Sequence, residues 1–309
     1  MDRGRGLEHT GVRFATERHV RELAVRLASI GGRRLDDAVP LVDARLPDGT
    51  RLHAALPPVA DGCATVSLRT VRGRALALDD WVLGQAMTPQ MAVVIRGLVA
   101  ARASLLFSGA TGSGKTTLLA TAMSLVGRHE RMVVIEEAGE VNPDHPHVVR
   151  LVERRANVDG AGAVGLPCLV KEALRMRPDR IVLGECRGAE VREVLMALNT
   201  GHRGGMATIH ANTSADVPAR LEALGALAGM DSRSVALHAA AAFDAVIHLE
   251  RTATGRQVSE IAVLTLAGGR RGEGRLRARA AMVVEEGDVV EGPAYAELQG
   301  LIDADEVAA

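Results

Sequence analysis

One glycine-rich segment limits what this chain can fold into more than any other feature. Residues 109–116 read Gly-Ala-Thr-Gly-Ser-Gly-Lys-Thr, which matches the phosphate-binding pattern G-x-x-x-x-G-K-[ST]. An apolar run, 105–108, precedes the motif, and a helix-forming run, 117–126, follows it. A loop of this kind joins a buried strand to the first turn of a helix, so the sequence predicts an α/β domain.

The motif also predicts which atoms hold a nucleoside triphosphate. Its glycines let backbone N–H groups turn towards an anion, and the helix N-terminus adds the positive end of its dipole. Lys115 is expected to reach the β- and γ-phosphates, and the Thr116 hydroxyl to coordinate Mg²⁺. Of the 37 basic residues only Lys115 and Lys171 are lysines, so a lysine here by chance is improbable. The predicted nucleotide-binding residues are Gly109, Ala110, Thr111, Gly112, Ser113, Gly114, Lys115, Thr116 and Thr117.

Composition narrows the classes of protein. The chain has 309 residues, 47% of them hydrophobic, and a formal net charge of −1 at pH 7. With one Trp, one Tyr and three Phe it offers little for base stacking, so direct nucleic-acid binding is not favoured. No apolar stretch reaches the ~20 residues of a membrane span, and no signal peptide is visible. We therefore expect a cytoplasmic protein that reaches a membrane only through partners.

The first part of the chain reads as a small α+β domain over residues 1–75. Thr16 can cap a helix that Gly31 and Gly32 end, and Pro47-Asp48-Gly49 is a hairpin signal between two apolar runs. A further strand is predicted over 64–69. The less regular stretch 76–88 is expected to be a linker.

From residue 89 to 309 the pattern changes to short apolar strands that alternate with helices. Such alternation predicts a mostly parallel sheet with helices on both faces. The Arg- and Gly-rich segment 268–279 is expected to be a mobile loop, and the tail beyond it has no predicted place in the fold. The predicted strands are 105–108, 133–137, 181–185, 206–210 and 245–250.

Three polar side chains lie where predicted strands end. Ligands in parallel sheets bind at the carboxyl ends of the strands, so Glu136, Glu185 and His210 are candidate catalytic residues. A carboxylate there can polarise the attacking water, Glu185 can hold Mg²⁺ together with Thr116, and His210 can donate to the γ-phosphate. Each also has an ordinary explanation, since acids often begin helices and a lone histidine is more often part of a core.

The order of the motifs resembles the type II/type IV secretion ATPases. After the phosphate loop come Ile135-Glu136-Glu137-x-x-Glu140, then Arg-Met-Arg-Pro-Asp-Arg-Ile-Val-Leu-Gly-Glu over 175–185, then Gly-His-x-Gly-Gly-x-x-Thr-Ile-His-Ala-Asn over 201–212. The chain looks most like the TadA/CpaF branch, which powers tight-adherence pili, and is similar to the VirB-type conjugation ATPases. The resemblance runs from about residue 11 to about residue 250.

The resemblance implies a RecA-like P-loop ATPase domain behind the α+β domain, with ATP and Mg²⁺ as ligands. It implies a homohexameric ring at the inner face of the cell membrane, with a polytopic membrane platform protein of a pilus or secretion machine as partner. Glu136 falls in the family's Asp box, Glu185 in its atypical Walker B motif and His210 in its His box. By the same resemblance, four arginines are candidates for contacting nucleotide phosphates: Arg51, Arg69, Arg150 and Arg154.

Other functions stay open. A conjugative DNA-transfer ATPase would share the fold, and a P-loop switch or kinase would share the loop. Arg203 and Gly205 stand where the family's His box usually has Asp and Ser. A nucleotide-binding scaffold with little turnover is therefore a further alternative.

Overall fold

The computed structural model describes residues 8–70, 75–154, 156, 161–252, 255–268 and 274–303. The chain divides into two compact units, residues 1–73 and 74–309. None of the helices in these described ranges is long and apolar enough to cross a membrane.

The first unit combines one helix with a three-stranded antiparallel sheet in the order β1-β2-β3. The Thr16 hydroxyl accepts a hydrogen bond from the His19 N–H at 3.3 Å and so caps the helix. Gly49, with φ of 86°, allows the tight turn between the first two strands. The elements are α1 (Glu17–Ile30), β1 (Leu41–Arg45), β2 (Arg51–Ala55) and β3 (Thr65–Arg69).

The second unit is built on a nine-stranded sheet in the order β12-β11-β10-β9-β4-β8-β7-β5-β6. Neighbours from β9 through β4 to β6 pair in parallel, and β9 to β12 pair antiparallel. A mostly parallel α/β sheet confirms the predicted fold class. The strands are β4 (Leu105–Gly109), β5 (Met132–Glu136), β6 (Val148–Val152), β7 (Arg180–Cys186), β8 (Met206–His210), β9 (Ala245–Thr252), β10 (Gly255–Ala267), β11 (Arg275–Glu285) and β12 (Asp288–Glu291).

Helices cover both faces of this sheet because its strand residues alternate between two apolar cores. Phe107 and Val134 belong to one core, and Leu106 and Val133 to the other. The first core also contains residues of α2 (Leu78–Leu83), α3 (Pro89–Ala100), α4 (Lys115–Ser124) and α9 (Tyr295–Asp303). The second contains residues of α5 (Leu166–Leu174), α6 (Glu190–Leu198), α7 (Val217–Leu227) and α8 (Ser232–Ala242), and a 3₁₀ helix, Ser214–Asp216, precedes α7.

The stretch 76–88 differs from the expected linker. It contains α2, whose Trp81 is 4% exposed and belongs to the first core of the second unit. The Trp81 Nε1–H donates to the Thr121 hydroxyl of α4 at 3.0 Å. Six helical residues are too few to show a helical period, so the sequence pattern did not reveal the helix.

The segment after residue 268 also differs from expectation. Residues 275–279, expected in a mobile loop, lie in β11, while 269–273 are outside the described residues. The described part of the tail adds β11 and β12 to the sheet and forms α9, and Ala281 and Leu298 are buried in the first core. The tail is therefore part of the second unit.

Candidate nucleotide-binding site

The phosphate loop leaves the carboxyl end of β4 and enters α4. Gly112 and Gly114 have φ of 75° and 105°, in the left-handed region that favours glycine. A Cβ on Gly109 would lie 2.3 Å from the Leu249 carbonyl oxygen, so a larger residue does not fit there. The loop thus lies close against the backbone of β9, and the N–H groups of the α4 N-terminus point to one place.

Lys115, the first residue of α4, is buried beside this loop. It is 6% exposed, and its Nζ donates to the carbonyls of Gly109 at 3.0 Å and Ala110 at 2.8 Å. Burial lowers the pKa of Lys115 to about 8, while the nearby Glu185 carboxylate acts in the opposite direction. A buried cation whose shortest contacts are two carbonyls can accept an anionic partner.

His210 connects Lys115 with Glu185. Its Nδ1 is 3.4 Å from Lys115 Nζ, and its Nε2 is 2.9 Å from Glu185 Oε1. Burial and then the Lys115 cation lower the pKa of His210, whereas Glu185 raises it. A neutral imidazole with its proton on Nε2 fits both contacts, because it accepts from the ammonium and donates to the carboxylate. We call these three residues the Lys115–His210–Glu185 chain.

Glu136 lies at the end of β5, separated from β8 by β7. It is 5% exposed, and its Oε1 accepts from the backbone N–H groups of Glu140 at 2.7 Å and Val141 at 2.8 Å. Gly184 on β7 leaves room for it, since a Cβ there would lie 2.8 Å from Glu136 Cγ. Glu136 therefore fixes the turn after β5, and its predicted catalytic role remains a prediction.

Arg187 is a site residue that the sequence reasoning missed. Its Nη1 is 2.5 Å from Glu137 Oε2, and its Nε is 3.8 Å from Glu185 Oε1. The available signal was its position two residues after Glu185, since alternate residues of an extended segment share a side. Arg187 thus contacts Glu137, which follows β5, and Glu185, which lies near the end of β7.

Arg150 and Arg154 lie on and just after β6, the outermost strand of the parallel part. Arg150 donates to Asn142 Oδ1 at 2.8 Å, and Arg154 to the Gly162 carbonyl at 2.5 Å. Because β6 is four strands from β4, the strand spacing puts it roughly 19 Å away within one chain. The fold therefore does not bring these two arginines to the loop of their own chain.

Arg51 and Arg69 face each other across β2 and β3 of the first unit. Arg51 forms a bidentate ion pair with Asp43, at 3.1 and 3.0 Å. Their predicted contact with nucleotide phosphates remains a prediction.

The side chains present fit a nucleoside triphosphate with Mg²⁺. The loop has no room for a Cβ at Gly109, and Lys115 is buried beside it. The Glu185 carboxylate lies near the end of β7 and contacts His210 at the end of β8. In a parallel sheet this arrangement defines a P-loop nucleotide-binding protein with a RecA-like fold.

Comparison with known proteins identifies the family. A profile of the family described as "Type II/IV secretion system protein" matches residues 4–270. The chain belongs to this family.

Sequence identity with individual relatives supports membership of this family. A putative conjugal transfer protein of Mycobacterium tuberculosis (strain H37Rv) is 50% identical over 277 residues, which cover 87% of this chain and 79% of the relative. The conjugal transfer protein TrbB of Rhizobium radiobacter is 34% identical, over 73% of this chain and 68% of TrbB. The crystal structure of the pilus retraction motor PilT with bound ADP matches with a TM-score of 0.53 at 19% identity, over 86% of this chain and 66% of that chain. The last likeness concerns the fold alone.

Proposed function

We propose that this chain is an ATP-hydrolysing motor subunit of a type II/IV secretion or pilus assembly machine. The observation that carries the proposal is the Lys115–His210–Glu185 chain, which joins the phosphate loop to a carboxylate at 2.9 Å from His210. A carboxylate held at this place can take part in hydrolysis by polarising the attacking water. Membership of the secretion family supports the same function.

Each of these residues has a distinct role in the proposed hydrolysis. The N–H groups of residues 112–116 and the Lys115 ammonium hold the phosphates, and Thr116 and Glu185 would hold Mg²⁺, which neutralises phosphate charge when bound. Glu185 orients the attacking water and accepts its proton. His210 keeps Glu185 and Lys115 at a fixed separation and can respond to the γ-phosphate. Glu136 supports the same edge through the turn that it anchors.

We further propose that the motor is a homohexameric ring, a number that comes from the family resemblance. Arg150 and Arg154 lie four strands from their own loop, which suits a contribution to a neighbouring subunit's site. Arg51 and Arg69 of the first unit are proposed to reach the phosphates as well. The proposed partner is a polytopic membrane platform protein, with the ring at the inner face of the cell membrane.

Two machines are candidates for this motor. The motif resemblance favours a tight-adherence pilus of the TadA/CpaF type. The names of the relatives at 50% and 34% identity favour conjugal transfer as the second candidate. A motor that works on DNA should bind it with an affinity that falls steeply with salt. Salt-insensitive or undetectable binding of double- and single-stranded DNA to the purified protein favours the pilus.

The test of the proposed function compares the two lysines of the chain. Lys115→Ala should abolish ATP binding and ATP hydrolysis, because it removes the buried cation at the loop. Lys171→Ala is the matched control, since that side chain is 63% exposed and pairs with Glu193 at 3.3 Å. We expect the control to bind and hydrolyse ATP as the wild type does. ATP affinity retained by Lys115→Ala would refute the assignment of the loop.

A further inference from the structure

A polar pair is buried in the large sheet. Ser108 on β4 and His248 on β9 lie opposite each other and are 0% and 1% exposed. The Ser108 Oγ is 2.8 Å from His248 Nδ1. Burial of polar groups is costly unless they are hydrogen-bonded, and a pair of apolar residues would avoid that cost. Stability alone therefore does not account for the pair.

The pair continues into a row across three neighbouring strands. Glu260 on β10 lies opposite His248, so Ser108, His248 and Glu260 form one line across the sheet, which we call the polar row. Burial raises the pKa of Glu260, and its side chain hydrogen-bonds to Ser214, itself 3% exposed. The polar row thus begins one residue before Gly109 and ends under the 3₁₀ helix Ser214–Asp216.

His248 can contact Ser108 through one ring nitrogen and the Asn212 backbone through the other. Burial lowers the pKa of His248, which keeps the imidazole neutral, although Glu250, the Asn212 backbone and Asp216 act against this shift. When Nδ1 accepts from the Ser108 hydroxyl, the proton is on Nε2. Glu250 Oε1 is 3.9 Å from Nε2, and Nε2 makes no hydrogen bond of normal geometry with any described residue. The Nε2–H can therefore shorten its contact with the Asn212 backbone.

The segment after His210 lies beyond the backbone ladder that joins β8 to β4, the strand before the phosphate loop. The parallel ladder between β4 and β8 ends at the Gly109 and His210 pair. Residues 211–213 continue beyond the ladder before the 3₁₀ helix begins. A side-chain link from Ser108 through His248 therefore joins the base of the loop to a segment that the backbone ladder does not hold.

We propose that His248 is a positioning residue for hydrolysis, which acts through Ser108 on the phosphate loop and through the polar row on residues 211–216. This inference rests on the proposed ATPase function. His210 is the residue whose placement depends on both ends of this link, because it stands between the ladder and the segment. Loss of the link should displace His210 and Glu185 from the loop while leaving the loop itself intact.

The first experiment separates turnover from binding. His248→Phe should lower kcat about 10- to 100-fold, the effect expected of a small misplacement of a catalytic group, and change ATP affinity less than about twofold. His248→Asn places an acceptor near the Nδ1 position and should recover most of the loss. Ser108→Ala should resemble His248→Phe, and the double variant should lose less than the two single losses combined. Ser104→Ala, just before the other end of β4, is the matched control with unchanged kcat.

The second experiment does not depend on turnover. In the wild type, ATP should slow amide hydrogen exchange in residues 112–116 and also in residues 211–216. In His248→Phe and Ser108→Ala, ATP should still protect the loop but no longer protect 211–216. Persistent protection of 211–216 in both variants, or equal kcat loss in His248→Phe and His248→Asn, contradicts the proposal. A wild type that binds ATP without hydrolysing it contradicts the proposed function instead, and the exchange result still decides the role of His248.

Discussion

Lys115 carries a charge that depends on pH close to neutrality. Its pKa of about 8 in the free chain reflects burial, and the negative charge of bound phosphates must raise that pKa. Below about pH 8 Lys115 is already protonated, so binding needs no proton. Above that pH, binding must take up a proton, and affinity should fall by up to about tenfold per pH unit.

Calorimetry in buffers of different ionisation enthalpy measures this uptake directly. We expect nearly one proton to be taken up per ATP bound at about pH 9 and little at about pH 7. Lys115→Arg keeps its charge at both pH values, so its weaker binding should lose the pH dependence. The same uptake in Lys115→Arg as in the wild type would assign the proton to another group.

Substitution by glutamine at Glu185 and at Glu136 tests which of the two carboxylates takes part in turnover. Glu185→Gln should leave ATP binding nearly intact and lower kcat by ~10² or more, because it removes the base and the charge beside His210. Glu136→Gln keeps an oxygen that can accept from the Glu140 and Val141 N–H groups, so its loss of kcat tests whether the charge itself takes part. Both kcat values are measured at saturating ATP.

The comparison of these two variants assigns the catalytic carboxylate. A loss in both supports catalytic roles for both. A loss in Glu185→Gln alone makes Glu136 a structural anchor. If Glu136→Gln alone loses turnover, or neither variant does, the role given to Glu185 is wrong.

At the scale of elements, α2 should stabilise the second unit through its tryptophan. Trp81→Phe removes the buried hydrogen bond to the Thr121 hydroxyl, which should lower the free energy of unfolding by about 1–3 kcal/mol. Leu83→Ala on the same helix is the control, since Leu83 is 82% exposed and its loss should cost less than ~0.5 kcal/mol. Because Trp81 is the only tryptophan, urea unfolding is followed by far-UV circular dichroism. Equal stability of the two variants would contradict the packing role of α2.

The elements that the sequence predicted well are those that a motif or a clear period defines. The phosphate-loop pattern requires a strand before it and a helix after it, which are β4 and α4. The run 206–210 was predicted as a strand, and β8 has the same bounds. β11 was missed because Arg275, Arg277 and Arg279 made it look like a charged loop. Their alternation with Leu276 and Ala278 is in fact the period of a strand with one buried side.

The candidate site was predictable only in part. The rule that parallel strands end at one edge placed Glu136, Glu185 and His210 together at that edge, as the structure has them. The 2.9 Å contact of His210 with Glu185 and the anchoring of Glu136 by backbone N–H groups depend on side-chain rotamers and turn geometry. A linear pattern does not encode these contacts. The position of Arg187 two residues after Glu185 was a signal in the sequence, whereas the buried contact of His248 with Ser108 came only from the structure.

At the scale of the whole molecule, neighbouring chains of the proposed ring would complete the nucleotide site. The loop, Glu185 and His210 lie on adjoining strands, whereas Arg150 lies at the far side of the parallel strands. If a neighbouring subunit supplies an arginine, removal of that arginine can cost 10³- to 10⁵-fold in rate in other P-loop enzymes. Specific activity should then rise with protein concentration as rings assemble.

The most direct test of this account is a mixing titration. Wild-type chain is mixed with increasing amounts of Lys115→Ala at constant total concentration, and ATP hydrolysis is measured after exchange of subunits. In the proposed ring an active subunit depends on neighbours that bind ATP, so we predict that an equal mixture has far less than half of the wild-type activity. Activity that falls only in proportion to the wild-type fraction, with a monomeric mass by light scattering in ATP and Mg²⁺, would contradict the account of a ring-forming ATPase.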